Sequence, residues 1–172
     1  PYVIEYTDNG KTPMYIADEN HLLGLICVAD VIKQSSVEAV HTLQSMGIEV
    51  TMLTGDNERT AKAIAKQVGI TNVISDVLPE DKANAVRSLQ DKNADAVVGM
   101  VGDGINDAPA LAQANIGFAI GSGTDVAIES ADIVLMHDNL KDVAIAIQLS
   151  KATISNIKQN LFWAFGYNTV GI

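Results

Sequence analysis

The sequence predicts an α/β fold in which a parallel sheet lies between two layers of helices. Short apolar or β-branched runs alternate with amphipathic stretches from residue 35 to residue 135, and repeated units of this kind form parallel sheets covered on both faces. Before them, the turn Asp8-Asn9-Gly10 joins the strand-like runs YVIEY and MYIA, which predicts an antiparallel hairpin. After them, a helical pattern continues from residue 140, which predicts a long C-terminal helix.

Each predicted element is delimited by a change of pattern. A third strand, HLLGLICVA, follows the polar turn DEN, and glycines 47 and 69 end the first two helices. The predicted helices are 35–46, 57–68, 80–91, 108–114, 122–130 and 140 onward. The later predicted strands are 49–54, 73–75, 95–101, 116–120 and 133–135.

Composition narrows the class of function. A chain of 172 residues with 48% hydrophobic residues can bury one good core, so one main domain is expected. The net charge of -10 excludes a nucleic-acid partner held through its phosphates, because the dense cationic face that such binding needs is absent. The three histidines and single cysteine lie far apart in sequence, which disfavours a zinc site.

Two polar loops follow the strongest predicted strands. The strand IEVTML ends in Thr54-Gly55-Asp56-Asn57, and DAVVGMV ends in Gly102-Asp103-Gly104-Ile105-Asn106-Asp107. Ligands of parallel sheets bind at the carboxyl ends of the strands. Glycine permits close approach of the backbone to a ligand, and N–H groups at the start of a helix favour an anion. The two loops together therefore predict a phosphate cradle.

Asp103 and Asp107 would repel a phosphate if nothing offset their charge. Mg²⁺ resolves this conflict, because it takes oxygen ligands from one or two carboxylates together with phosphate oxygens. Lys82, at the start of a predicted helix that Asp81 could cap, supplies a further positive charge. In the structural alternative the glycines end helices, the two aspartates are solvated helix caps and Lys82 is a surface residue. That alternative is plausible for one loop taken alone, but less so for two such loops that both follow sheet strands.

Four motifs then resemble the phosphorylation domain of P-type ATPases. They are TGDN at 54–57, PEDK at 79–82, VGDGINDAPAL at 101–111 and GSGTDVAIESADIVL at 121–135. The resemblance runs from about Gly24 to the end of the chain, and the last two motifs are very specific to these pumps. It implies a haloacid-dehalogenase-like, Rossmann-like three-layer sandwich.

The resemblance also implies roles for the loop residues. Thr54 and Gly55, with Asp56 beside them, would hold phosphoryl oxygens, and Lys82 would neutralise the developing charge. Asp103 would bind Mg²⁺, while Asn106 and Asp107 complete the phosphate and metal shell around Gly102 and Gly104. Positioning and electrostatics of this kind dominate phosphoryl transfer.

The end of the chain resembles the heavy-metal branch of the family, most closely its copper pumps. NLFWAFGYN is similar to the start of a membrane helix there, although NLFWAFGYNTVGI is too short for the roughly 20 residues of a span, so a core helix is the alternative. In those pumps a Tyr-Asn pair contributes to the ion site, which implies that Tyr167 and Asn168 contact the transported ion, Cu⁺. Ordinary interfacial and helix-packing roles are the alternative for both residues.

The chain departs from the family pattern in ways that indicate a segment of a pump. The phosphorylated aspartate of the family lies in Asp-Lys-Thr-Gly-Thr, which this sequence lacks, and Asp30-Val31 replaces the usual Asp-Pro. The resemblance then divides the chain into the last strands of the nucleotide-binding domain (1–20), a phosphorylation domain without its nucleophile (21–147), and a stalk with the start of a membrane helix (148–172).

The resemblance also sets the expected surroundings of the segment. The intact protein would be a multi-pass membrane pump with this segment mostly cytoplasmic. Its partners would be the actuator, nucleotide and membrane domains, and ATP would be bound mainly by segments outside this chain. Alone, the segment should not turn over ATP.

Two other classes of function remain open at this point. A soluble phosphatase of the same superfamily would share GDGIND and the threonine and lysine positions, but it needs an aspartate nucleophile near its start. A non-catalytic module that binds Mg²⁺ or phosphate would need only the two loops.

Overall fold

The computed structural model describes residues 12–19, 21–28, 31–92, 96–121 and 125–171. The predicted turn at Asp8-Asn9-Gly10, Asp30, and the Ser122 to Thr124 part of GSGTDVA lie outside these ranges. The described part begins with an antiparallel pair, β1 (Thr12–Ala17) and β2 (Leu22–Val28), in which Tyr15 is opposite Leu25.

Helices and parallel strands then alternate, which confirms the predicted α/β class. The helices are α1 (Gln34–Ser45), α2 (Glu58–Val68), α3 (Lys82–Asp91), α4 (Ala108–Gln113), α5 (Asp125–Ser130) and α6 (Lys141–Val170). The strands are β3 (Thr51–Leu53), β4 (Asn72–Ile74), β5 (Gly99–Gly102), β6 (Ile116–Ile120) and β7 (Ile133–Leu135). The last two strands have the predicted bounds, whereas β3 is shorter than predicted because only Thr51 to Leu53 pair with a neighbour.

The parallel strands form two ladders, where the sequence predicted one sheet. β3 pairs with β4, and β6 lies between β5 and β7. Within the described residues no strand joins β3 to β5. One edge of each of these two strands is therefore unpaired in this part of the chain.

The helices pack as two groups, as expected for a sheet covered on both faces. α1 contacts α2 and α6, while α4 contacts α3 and α5. The buried apolar residues come mainly from α1, α2, α4, β6 and the first turn of α6: Ala39, Val40, Leu43, Ala61, Ala65, Val68, Leu111, Phe118, Ala119, Val143 and Ala144. The core thus fixes the strand ends from which the polar loops emerge.

The long last helix leaves this core after its first turns. Val143 and Ala144 are its only described buried residues, and the helix continues to Val170. None of the helices in the described ranges combines the length and mean hydropathy needed to cross a membrane.

Candidate phosphate and magnesium site

The first loop leaves β3 at Thr54 and folds back on itself. The Thr54 hydroxyl donates to Asp56 Oδ2 at 3.1 Å and accepts from the Asp56 N–H at 3.1 Å. Asn57 then caps α2, because its Oδ1 accepts from the Thr60 N–H at 3.0 Å. The Gly55 N–H donates to no described residue, and Gly55 is exposed. The loop therefore presents a backbone donor at the carboxyl end of β3.

The second loop is built around the carboxylate of Asp107. A Cβ atom at Gly102 would lie 2.6 Å from Asp107 Cβ, so only glycine fits at the end of β5. The Asp107 N–H donates to the Gly104 carbonyl at 3.0 Å, which closes the turn before α4. The glycine here makes room for a side chain of the site itself.

Lys82 and Asp107 form an ion pair. Lys82 Nζ donates to Asp107 Oδ1 at 2.6 Å, and the two side chains are only 18% and 13% exposed. A short, charge-assisted hydrogen bond between two largely buried side chains holds both of them in place. The chain reaches Lys82 through a 3₁₀ turn, Pro79–Asp81, that runs directly into α3. The prediction that the Asp81 side chain caps α3 is wrong, because the 3₁₀ turn already continues into the helix. The Asp81 carboxylate accepts instead from the Asn84 side chain at 3.3 Å.

A continuous series of contacts joins the two loops. The Val77 N–H donates to the Thr54 carbonyl at 3.2 Å, and a Cβ at Gly55 would lie 3.3 Å from the Val77 carbonyl oxygen. Val77 leads within five residues to Lys82, which binds Asp107. The structure thus connects both predicted loops through the segment between them.

Asp103 and Asn106 are the groups left available at this edge. Both are exposed, and no described residue forms a hydrogen bond with either side chain. Within the described ranges, no group of three or more His, Cys, Asp or Glu residues could hold a metal. One open carboxylate with a second nearby is nevertheless the donor set that Mg²⁺ uses when phosphate and water complete its shell. These residues therefore fit Mg²⁺ only together with a phosphorylated ligand.

The remaining predicted site residues lie on α6, and among the described residues their hydrogen bonds stay within that helix. Tyr167 is 84% exposed. The side-chain amide of Asn168 donates to the Ala164 carbonyl at 2.7 Å, and the Tyr167 carbonyl accepts from the Gly171 N–H at 2.9 Å. The structure does not bring these two residues to the polar loops.

Sequence reasoning missed two features of the site. It assigned Lys82 and Asp107 separate roles, although their position at one sheet edge could have indicated the pair. It also gave no role to Asp76, which has φ 55°, the only positive φ of a non-glycine residue in the part of the chain that the structure describes.

The chain belongs to the haloacid dehalogenase-like hydrolases, since its residues 2–115 match that family. Among relatives, it is 58% identical to a "Copper-exporting P-type ATPase" of Staphylococcus epidermidis over 167 residues, which are 97% of this chain and 21% of that protein. It is 55% identical to a "Probable copper-importing P-type ATPase A" of Enterococcus hirae over 171 residues, 98% of this chain and 23% of that protein. The chain thus spans about a fifth of the length of these curated relatives.

The solved structures that resemble this chain include heavy-metal P-type ATPases. A zinc-transporting PIB-type ATPase in the E2.Pi state matches with a TM-score of 0.84 and 40% identity, over 98% of this chain and 27% of that one. The catalytic domain of the CPx-ATPase CopB-B matches with a TM-score of 0.59 and 27% identity, over 80% of this chain and 57% of that one. The resemblance to heavy-metal P-type ATPases predicted from the motifs is confirmed.

Proposed function

We propose that this chain is the part of an ATP-driven heavy-metal pump that holds Mg²⁺ and the phosphoryl group of an aspartyl phosphate formed outside residues 1–172. The observation that carries the proposal is the Lys82–Asp107 ion pair, which ties the Asp107 loop after β5 to the segment whose Val77 N–H binds the Thr54 loop after β3. That edge is where open α/β sheets bind ligands.

In the proposed reaction, a carboxylate oxygen of the external aspartate attacks the γ-phosphorus of ATP. The new O–P bond forms as the bond to the β-phosphate oxygen breaks, and ADP leaves with that electron pair. Water then attacks the phosphorus of the aspartyl phosphate, releasing inorganic phosphate and one proton and restoring the carboxylate. Positioning and charge stabilisation are the main requirements of such transfers.

The residues of this chain supply those requirements. The Gly55 N–H donates to a phosphoryl oxygen. The Thr54 hydroxyl gives its one proton to Asp56 Oδ2 in this structure and turns it to the phosphoryl group when that group binds, while the Asp56 N–H still holds the hydroxyl oxygen. Lys82 contributes positive charge and holds Asp107 in place.

The other loop contributes the metal side of the site. Asp103 and Asp107 would hold Mg²⁺, with Asn106 beside the phosphoryl group. Gly102 leaves room for the Asp107 side chain, and the Gly104 carbonyl accepts from the Asp107 N–H. When bound, Mg²⁺ offsets the repulsion between the carboxylates and the phosphate.

The two separate parallel ladders support an external source for the nucleophile. β3 and β5 each lead into a site loop, and each has one edge unpaired within the described residues. A parallel strand added between them would bring its own carboxyl end between the two loops. An aspartate at that end would lie beside Gly55 and Asp103.

The surroundings of the segment are proposed from its relatives. Residues 1–20 end the nucleotide-binding domain, 21–147 form the phosphorylation domain, and 148–172 form a stalk and the start of a membrane helix in a multi-pass membrane protein. ATP is bound mainly by other segments. The transported ion is Cu⁺, as the names of the 58% and 55% identical relatives suggest, and Tyr167 and Asn168 contribute to its site.

The test is Asp103→Asn in the full-length protein that contains this chain. We expect the yield of phosphoprotein from ATP to fall about 100-fold, because an essential charge at the transferring group is lost. Asp91→Asn, which removes an exposed carboxylate at the far end of α3, should leave the yield unchanged. Normal phosphorylation of the Asp103→Asn protein would overturn the proposal.

A further inference from the structure

Asp76 lies between β4 and the segment that joins the two loops, in an unusual backbone conformation. Its φ of 55° belongs to the left-handed region, which is unfavourable for most residues other than glycine. Glycine would adopt this conformation without that cost. An aspartate in place of glycine therefore indicates that its side chain makes a contact that glycine could not make.

Asp76 is hydrogen-bonded to the Thr54–Asp56 loop and to the start of α2. Its N–H donates to the Asp56 carbonyl at 2.9 Å, and its Oδ2 accepts from the Glu58 N–H at 3.1 Å. Together with the bond from the Val77 N–H to the Thr54 carbonyl at 3.2 Å, these bonds bracket both sides of Gly55. The left-handed conformation lets one residue bind the loop through its backbone and its side chain at once.

We propose that Asp76 is a positioning residue that holds the Thr54–Asp56 loop in the conformation that presents the Gly55 N–H to phosphate. Asp76 itself does not touch the phosphoryl group; it acts through the loop. This inference rests on the proposed function, since it assigns the loop to phosphate.

A second residue of the chain provides a matched control. Asp132 makes the same two kinds of bond to Gly117: its N–H donates to the Gly117 carbonyl at 3.0 Å, and its Oδ2 accepts from the Gly117 N–H at 2.8 Å. Gly117 lies in β6, which pairs with β5 and β7 and, within the described residues, forms no ladder with β3, the strand that leads into the Thr54–Asp56 loop. Loss of this carboxylate should therefore affect folding without moving the phosphate loop.

The experiment measures acid-stable labelling of the full-length protein by radiolabelled inorganic phosphate with Mg²⁺, as a function of phosphate concentration. Asp76→Gly and Asp76→Asn both tolerate the positive φ, but only asparagine keeps an acceptor for the Glu58 N–H. For Asp76→Gly we expect the half-saturating phosphate concentration to rise about fivefold, the factor that corresponds to one hydrogen bond of about 1 kcal/mol. Asp76→Asn should restore wild-type affinity, and Asp132→Ala should keep it.

A merely structural role would give a different pattern. Partial unfolding lowers the maximal labelling without changing the half-saturating concentration, so that pattern in Asp76→Gly overturns the inference, as does an unchanged curve. A fivefold shift in Asp132→Ala would also overturn it. Absence of labelling in the wild-type protein overturns the proposed function and this role together, whereas labelled wild type with an unchanged Asp76→Gly curve overturns this role alone.

Discussion

The side chain of Asp107 explains why residue 102 is a glycine. A glycine after a buried strand suggests room for a ligand, yet here the space above Gly102 is filled by the Asp107 side chain, 2.6 Å from where a Cβ would lie. That contact and the ion pair to Lys82 hold the carboxylate from two sides. Asp107 is therefore rigid, while Asp103 remains exposed for a ligand.

Lys82→Ala tests the double role of this lysine. Phosphorylation of the full-length protein from ATP should fall, because positive charge is lost and Asp107 is released. We also expect the free energy of unfolding to drop by about 1–3 kcal/mol, since Asp107 keeps a mostly buried carboxylate without its cation. Phosphorylation assays and denaturant titration measure the two effects.

The control for this prediction is Lys92→Ala, at the opposite end of the same helix. It should change neither quantity. Unfolding of the Lys82→Ala protein under conditions in which Lys92→Ala stays folded would assign Lys82 a structural role only.

At the scale of elements, α1 and α6 are connected by polar contacts outside the core. Lys141 at the start of α6 pairs with Glu38 of α1, and Lys33 before α1 pairs with Asp138 before α6 at 2.5 Å. Farther along, Gln148 donates to the sulfur of Met46 at 3.7 Å. These contacts fix the direction in which α6 leaves the domain.

The Glu38–Lys141 pair should make stability depend on pH. The hydrogen bond from Lys141, together with its charge, lowers the pKa of Glu38 from its ordinary value of 4.5. A lowered folded-state pKa stabilises the fold above the unfolded-state value, and that stabilisation is lost as pH falls through the folded-state pKa. The difference in Tm between wild type and Glu38→Gln should therefore be small but present at pH 7 and vanish in acid.

High salt should remove the same difference, because the pair is exposed and screened. Glu129→Gln, an exposed glutamate of α5, is the control and should leave Tm unchanged at every pH. A Glu38→Gln difference that persists at pH 2 would contradict the electrostatic origin.

Local signals predicted the elements, and long-range contacts account for what they missed. β6 and β7 were predicted with their bounds, since each is a short apolar run between clear turns. The division into two ladders depends on pairing between distant strands, which periodicity does not report. The same holds for the site: both loops follow from local sequence, whereas the Lys82–Asp107 bond joins residues 25 positions apart.

At the scale of the whole molecule, the described part of the chain exposes many large apolar side chains. Many of its exposed large hydrophobic residues lie on the antiparallel pair and the second half of α6: Met14, Tyr15, Leu22, Leu23, Ile26, Ile157, Leu161, Phe162, Trp163 and Phe165. Patches of this kind mark surfaces that contact other parts of a protein or a membrane. Their positions agree with a segment that spans about a fifth of its curated relatives.

The central claim is that this chain holds a phosphoryl group whose nucleophile lies elsewhere in the protein. Its most direct test is to phosphorylate the full-length protein with radiolabelled ATP and map the labelled peptide. We expect a hydroxylamine-sensitive label on an aspartate outside residues 1–172, reduced about 100-fold in the Asp103→Asn variant. A label on any residue within 1–172 would contradict it.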